Sequence, residues 1–118
     1  MTIDSVLIAN RGAIAVRIAR TLRHLDRRSI AVYAEEDVDS AHIDACDTAV
    51  CLGAGSASRT YLNQEQLLQI ARKTGADAIH PGYGFLSENA DFERRCDEAG
   101  IAFLGPTAEQ IEVFGLKH

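Results

Sequence analysis

What most constrains this chain is a strict alternation of short strand-like runs with segments of helical period. Residues 5–9 read SVLIA, a continuous apolar run of the kind a parallel strand shows when both its faces are buried. The turn Asn10-Arg11-Gly12 follows. In residues 13–25, Ile14, Ile18, Leu22 and Leu25 recur at the helical period, flanked by Ala15 and Ala19. The pattern then repeats. Residues 29–34, 48–52, 76–80 and 101–104 read as strands, and 41–46, 63–75, 89–99 and 107–114 as helices. Asn63 with Gln66, and Thr107 with Gln110, have capping-box spacing, while Gly75 and Gly100 stand where glycine commonly ends a helix. Leu67, Leu68 and Ala71 form the inner face of the third helix. Residues 35–39 read as an acidic loop and 53–59 as a small, polar loop of mobile composition. Strands joined by helices in this order pair in parallel through right-handed crossovers. The expected fold is α/β and Rossmann-like: a doubly wound parallel sheet of about five strands with helices on both faces, one domain over residues 1–118.

A chain of 118 residues that is 47% apolar can close one core. Its formal net charge of -5 argues against a nucleic-acid partner, which needs a basic footprint. Positive charge is concentrated locally: Arg17, Arg20, Arg23, His24, Arg27 and Arg28 cluster on and just after the first helix. Such a run is a solvated face or a subunit contact. No run approaches the ~18 apolar residues that would cross a membrane. No basic segment leading into a long apolar stretch marks a signal peptide. Cys46, Cys51 and Cys96 are odd in number and form no Cys-x-x-Cys, as in a cytoplasmic protein with reduced thiols. His24, His42, His80 and His118 share no ligand spacing with them, so no metal site is expected.

The first turn is not a dinucleotide fingerprint. Asn10-Arg11-Gly12-Ala13-Ile14 offers one glycine where Gly-x-Gly-x-x-Gly needs three, although Glu35 and Glu36 follow the second strand where such an enzyme would hold a ribose. The amides opening the Ala13 helix are a candidate anion site, but a turn packed against the next strand is the simpler reading. Arg11 would hold that turn or reach an acidic partner. A receiver-type module is disfavoured because the first strand ends in Ala9-Asn10-Arg11, without an acidic pair. The richest segment is residues 78–89, AIHPGYGFLSEN. It starts as a strand, ends as a helix start, and between them sets one proline, two glycines and an aromatic. Loops at the carboxyl end of a strand in an α/β fold are where ligands sit. The plain alternative is a tight connection in which Phe85 and Leu86 are core and His80 is a satisfied strand-end histidine.

HPGYGFLSEN resembles the signature loop of the biotin-dependent carboxylases, in the N-terminal domain of their biotin carboxylase component. Residues 6–17, VLIANRGAIAVR, resemble that family's opening strand and turn. Tyr61-Leu62-Asn63 and Phe103-Leu104-Gly105-Pro106 agree, in family order and spacing. The resemblance implies a pre-ATP-grasp domain, and a reaction in which bicarbonate attacks ATP to give carboxyphosphate, whose carboxyl group passes to biotin. It places Tyr83 at the edge of the biotin site and has Gly82 and Gly84 let the backbone pass close. His80 and Glu88 would position the loop or bond nearby groups. Lys117 would reach the phosphates of ATP. The family most often has Glu at the position of Ala13, so that carboxylate's role does not carry over. Gly115-Leu116-Lys117-His118 is similar to the urea carboxylase (urea amidolyase) branch, where acyl-CoA and pyruvate carboxylases usually have Gly-Asp-Lys.

The same resemblance implies ATP, Mg²⁺ and biotin for a full-length enzyme, none of them bound tightly by these residues alone. A glycine-rich phosphate loop and a Met-Lys-Met biotin acceptor are not in the sequence. The chain therefore reads as the first domain of a larger carboxylase, inactive alone, partnered by an ATP-grasp domain of the same chain and a biotin carboxyl carrier domain. It would form a homodimer through the face carrying Arg20 and His24. The alternative is a non-catalytic Rossmann-like binding or dimerisation module.

Overall fold

A computed structural model of the chain describes residues 3–104. Its elements run β1 (Ser5–Ile8), α1 (Gly12–His24), β2 (Arg28–Tyr33), a 3-10 turn at Glu35–Asp37, α2 (Ala41–Ala45), β3 (Thr48–Cys51), a second 3-10 turn at Ala57–Arg59, α3 (Gln64–Thr74), β4 (Ala78–His80), α4 (Ala90–Glu98) and β5 (Ala102–Phe103). The five strands form one parallel sheet in the order β3-β2-β1-β4-β5. β1 lies at the centre, with Leu7 opposite Ile30 on one side and Ile79 on the other.

The period of two along each strand divides the core. Val6, Ile8, Ala78 and Ala102 face α1, against Ala15, Ile18, Ala19 and Leu22. Leu7, Ala9, Ile30, Val32 and Ile79 face the other way, against Leu67, Leu68, Ile70 and Ala71 of α3 and Phe92 and Cys96 of α4. Phe92 meets Phe103 edge-on, with ring centroids 5.8 Å apart. Fully burying a side chain such as Leu67 or Ile79 contributes about 1.5–3 kcal/mol, so each sheet face is held by several such terms. The expected doubly wound fold is the one observed.

Element ends fall within a residue or two of the sequence reading. β4 is bounded at Ala78 rather than 76; Asp77, just before it, bonds Ser5 O and the Ala102 amide through its backbone and takes the Asp4 and Ser5 amides on its carboxylate at 2.9 and 3.1 Å. The acidic loop at 35–39 contains a 3-10 turn, as does the 53–59 loop. The capping box at α3 is half formed. Asn63 Oδ1 accepts from the Gln66 amide at 3.2 Å, but the Gln66 side chain donates to Leu52 O rather than reaching back to Asn63. Gly75 ends α3 in the left-handed conformation, φ 73°. The expected box at Thr107 and Gln110 and its helix lie outside the described residues. Cys46, Cys51 and Cys96 are free thiols. Burial pushes the Cys96 thiol up to about 12, so it remains protonated.

Candidate functional site at the carboxyl edge of the sheet

β1 and β4 are neighbours, yet their connections leave to opposite faces: β1 runs into α1, β4 into α4. Such a reversal opens a crevice beyond the carboxyl ends of the two strands, the usual ligand position in an open α/β sheet. Asn10 and the 80–89 loop meet there. Asn10 is buried, 3% exposed, and uses both amide protons on the loop. Its Nδ2 donates to Pro81 O at 2.8 Å and to Tyr83 O at 2.7 Å, while its Oδ1 accepts from the Arg11 amide at 2.8 Å. The carbonyls on either side of Gly82 are thus held by one side chain. Gly82 has φ 66°, and a Cβ there would sit 2.7 Å from Asn10 Nδ2. Glycine is required twice over, for the left-handed backbone and for the close approach.

His80 anchors the loop from inside. It is buried, and its Nδ1 accepts from the Gly82 amide at 3.1 Å. Burial pulls its pKa down to about 4, so the ring is neutral at pH 7 with its proton on Nε2. His80 is thus a satisfied strand-end histidine whose ring bonds the backbone of the loop at Gly82. Tyr83, at the loop's tip, is 63% exposed. Gly84 follows with φ 71°. Glu88 is exposed, with no hydrogen-bond partner for its carboxylate among the described residues. Leu86 is core, as expected, but Phe85 is not: it is partly exposed, with φ 43°. Its ring stacks instead on Tyr61, centroids 5.3 Å apart and planes 24° from parallel.

Tyr61 brings the other connections into the same corner. Its hydroxyl accepts from the Ala34 amide at 2.9 Å and donates to Asp37 Oδ2 at 2.7 Å. The same Asp37 oxygen takes Arg11 Nη1 at 2.9 Å, and the Arg11 guanidinium lies 5.8 Å from the Tyr61 ring centroid. Burial, with Asp37 beside it, pushes the phenol up to about 12. Sequence reasoning treated Asn10 as a turn residue and gave Tyr61 and Asp37 no role in the site. A signal existed for Asn10: an amide closing a wholly apolar parallel strand is buried, and a buried amide needs partners.

Arg20 and His24 are exposed on α1. α1 runs antiparallel to the strands, which carries them towards the amino edge, away from the loop. The basic cluster is mostly solvated, with Arg23 and Arg28 donating to Ala45 O and Thr74 O. Lys117 lies outside the described residues. Among those residues no group of three His, Cys, Asp or Glu is arranged to hold a metal ion.

The family described as biotin carboxylase, N-terminal domain, matches residues 2–111. The chain belongs to that family. This biotin carboxylase N-terminal domain is 54% identical over 112 residues to the biotin carboxylase of Halalkalibacterium halodurans, covering 95% of the chain and 25% of that protein. Urea amidolyase from K. lactis superposes with a TM-score of 0.86 at 50% identity, covering 98% of the chain and 7% of that structure. The biotin carboxylase domain dimer of Hydrogenobacter thermophilus 2-oxoglutarate carboxylase, in complex with MgADP and bicarbonate, superposes at 0.84 with 42% identity over 98% of the chain and 25% of that structure. The chain thus spans about a quarter or less of the proteins it matches.

Proposed function

We propose that the chain is the N-terminal domain of an ATP-dependent biotin carboxylase, a ligase component that makes carboxybiotin from ATP, bicarbonate and carrier-borne biotin. The observation that carries this is the loop at the switch point. Three buried anchors, Asn10, His80 and Gly82, hold the most exposed aromatic of the loop, Tyr83, at the mouth of the crevice. A flat ring fixed at a solvent edge suits contact with the flat ureido ring of biotin. The loop's backbone, threaded through Gly82 and Gly84, leaves that approach open. The domain supplies one wall of a site. Charge neutralisation for phosphoryl transfer needs metal ions and several cations; Mg²⁺ and most phosphate contacts then belong to an ATP-grasp domain of the same polypeptide. Lys117 is the one phosphate ligand assigned to this chain.

The urea carboxylase type is our reading of the branch. It is supported by Gly115-Leu116-Lys117-His118 and by the likeness to the K. lactis enzyme. A cytoplasmic location is our reading from the free thiols of Cys46, Cys51 and Cys96; no described helix is long and apolar enough to cross a membrane. The exposed basic face of α1 suits a homodimer contact through Arg20 and His24. Arg20→Glu in the complete polypeptide should shift sedimentation towards monomer; an unchanged profile would count against that contact.

The test of function is ADP release by the complete polypeptide that carries this chain. Release should depend on bicarbonate and rise with added free biotin, and Tyr83→Ala should raise the KM for biotin while leaving that for ATP unchanged. A biotin-independent rate, or a Tyr83 variant identical to wild type, would overturn the assignment of the loop.

A further inference from the structure

One buried side chain links the four described βα connections at the carboxyl edge. Tyr61 stands in the β3–α3 connection. Its hydroxyl bonds Ala34 and Asp37 of the β2–α2 connection. Arg11, from the β1–α1 turn, shares the Asp37 oxygen and lies against the Tyr61 ring. Phe85, from the loop after β4, stacks on that ring. Phe85 is also the strained member of its loop. A non-glycine residue at φ 43° is strained and persists only where its surroundings hold it. No hydrogen bond of the Phe85 side chain can do so; the Tyr61 ring is the partner it has. Asn10 fixes the loop on the near side of Tyr83, at Pro81 O and Tyr83 O, and the stack fixes it two residues beyond.

We infer that Tyr61 is a positioning residue for the biotin-contacting loop: through its hydroxyl bonds to Ala34 and Asp37 it fixes the ring on which Phe85 stacks, and so fixes where Tyr83 stands. Asp37 and Arg11 act through it. Tyr61 itself touches no reacting group. The inference rests on the functional reading of the loop only for its consequence in catalysis; the brace is a property of the domain.

Two measurements separate these. In the purified chain, Tyr61→Phe keeps the ring and removes both hydroxyl bonds. Exchange of the Ser87 amide, which bonds Gly84 O across Phe85, should quicken about tenfold, and the Phe85 ring resonances should move. Leu22→Ala, in the core on the opposite face, should lower the melting temperature yet leave Ser87 exchange unchanged. Should Tyr61→Phe fail to fold, Asp37→Ala, which leaves the ring in place, is expected to quicken Ser87 exchange likewise. Unchanged exchange in the folded variant, or equal quickening by Leu22→Ala, would overturn the brace. In the complete polypeptide, Tyr61→Phe should raise the KM for free biotin about tenfold with the KM for ATP unmoved. A loosened loop with an unmoved biotin KM would overturn the catalytic consequence. A wild-type enzyme without biotin-dependent ADP release would sink the functional reading, and the amide measurement would still decide the brace.

Discussion

At the scale of single residues, the Asn10–Gly82 contact determines how the loop is held, and two substitutions test it as a pair. Asn10→Ala leaves Pro81 O and Tyr83 O without their donor and should destabilise the chain by about 2–3 kcal/mol. Gly82→Ala strains a left-handed backbone and drives a methyl into the Asn10 amide, and should cost at least about 2 kcal/mol. Once Asn10 is alanine the overlap is gone and only the backbone term remains. Chemical denaturation should therefore show the double variant more stable than the sum of the singles by about 1 kcal/mol; simple additivity would mean that the two do not touch. His80 gives a pH dependence with a definite sign. Unfolded, it takes a proton below about 6.5, whereas folded it resists until about 4. Between those values the unfolded chain binds more protons, so stability falls as pH is lowered, by up to about 3 kcal/mol. In His80→Asn, whose side-chain oxygen can still accept from the Gly82 amide, that difference should vanish. A variant losing as much stability as wild type between pH 6.5 and 4 would place the titration elsewhere.

Among the elements, α1 departs most from what its position invites. It starts at the switch point, its N-cap residue Arg11 makes no side-chain cap bond, and its first turn carries no acidic residue. By contrast, α3 and α4 are each capped by an asparagine, Asn63 and Asn89, whose oxygens take the Gln66 and Phe92 amides. The exposed Ala13 stands where a first-turn carboxylate would meet the positive end of the helix dipole. Ala13→Glu should stabilise the chain by about 0.3–1 kcal/mol at low ionic strength, and the gain should shrink with added salt. A thermal melt in two salt concentrations checks it, since a salt-independent change would not be electrostatic. The Asn63 cap and the end of α3 at Gly75 were legible in the sequence because capping is local: Asn63 and Gln66 are three residues apart. The half-formed box shows the limit of that reasoning. Gln66 prefers a strand-end carbonyl, Leu52 O, which no local spacing brings near it.

Across the whole molecule the same division holds. The alternation of apolar strand and amphipathic helix was readable because a parallel strand buried on both faces is mostly apolar, and residues 6–9 are wholly so. That β4 rather than β3 would lie beside β1 was not readable, because it depends on which face α3 crosses. The loop could be picked out by its glycines and its family resemblance, but its anchors could not, since Asn10 and its carbonyl partners stand more than seventy residues apart in the chain. With β1 covered by α1 on one face and α3 and α4 on the other, the described residues close their own core. The purified 118-residue chain should therefore unfold in one cooperative transition. Closing a core is not the same as completing a site. Phosphoryl transfer between anions demands several cations aimed at the transferred group, and Arg11, next to the Asn10 anchor of the loop, is already paired with Asp37. Given ATP, Mg²⁺, bicarbonate and free biotin, the folded chain is expected to release no ADP above the uncatalysed background. Bicarbonate-dependent release by these residues alone would mean that the phosphate-handling groups are within them, and the division of labour between this domain and an ATP-grasp partner would have to be redrawn.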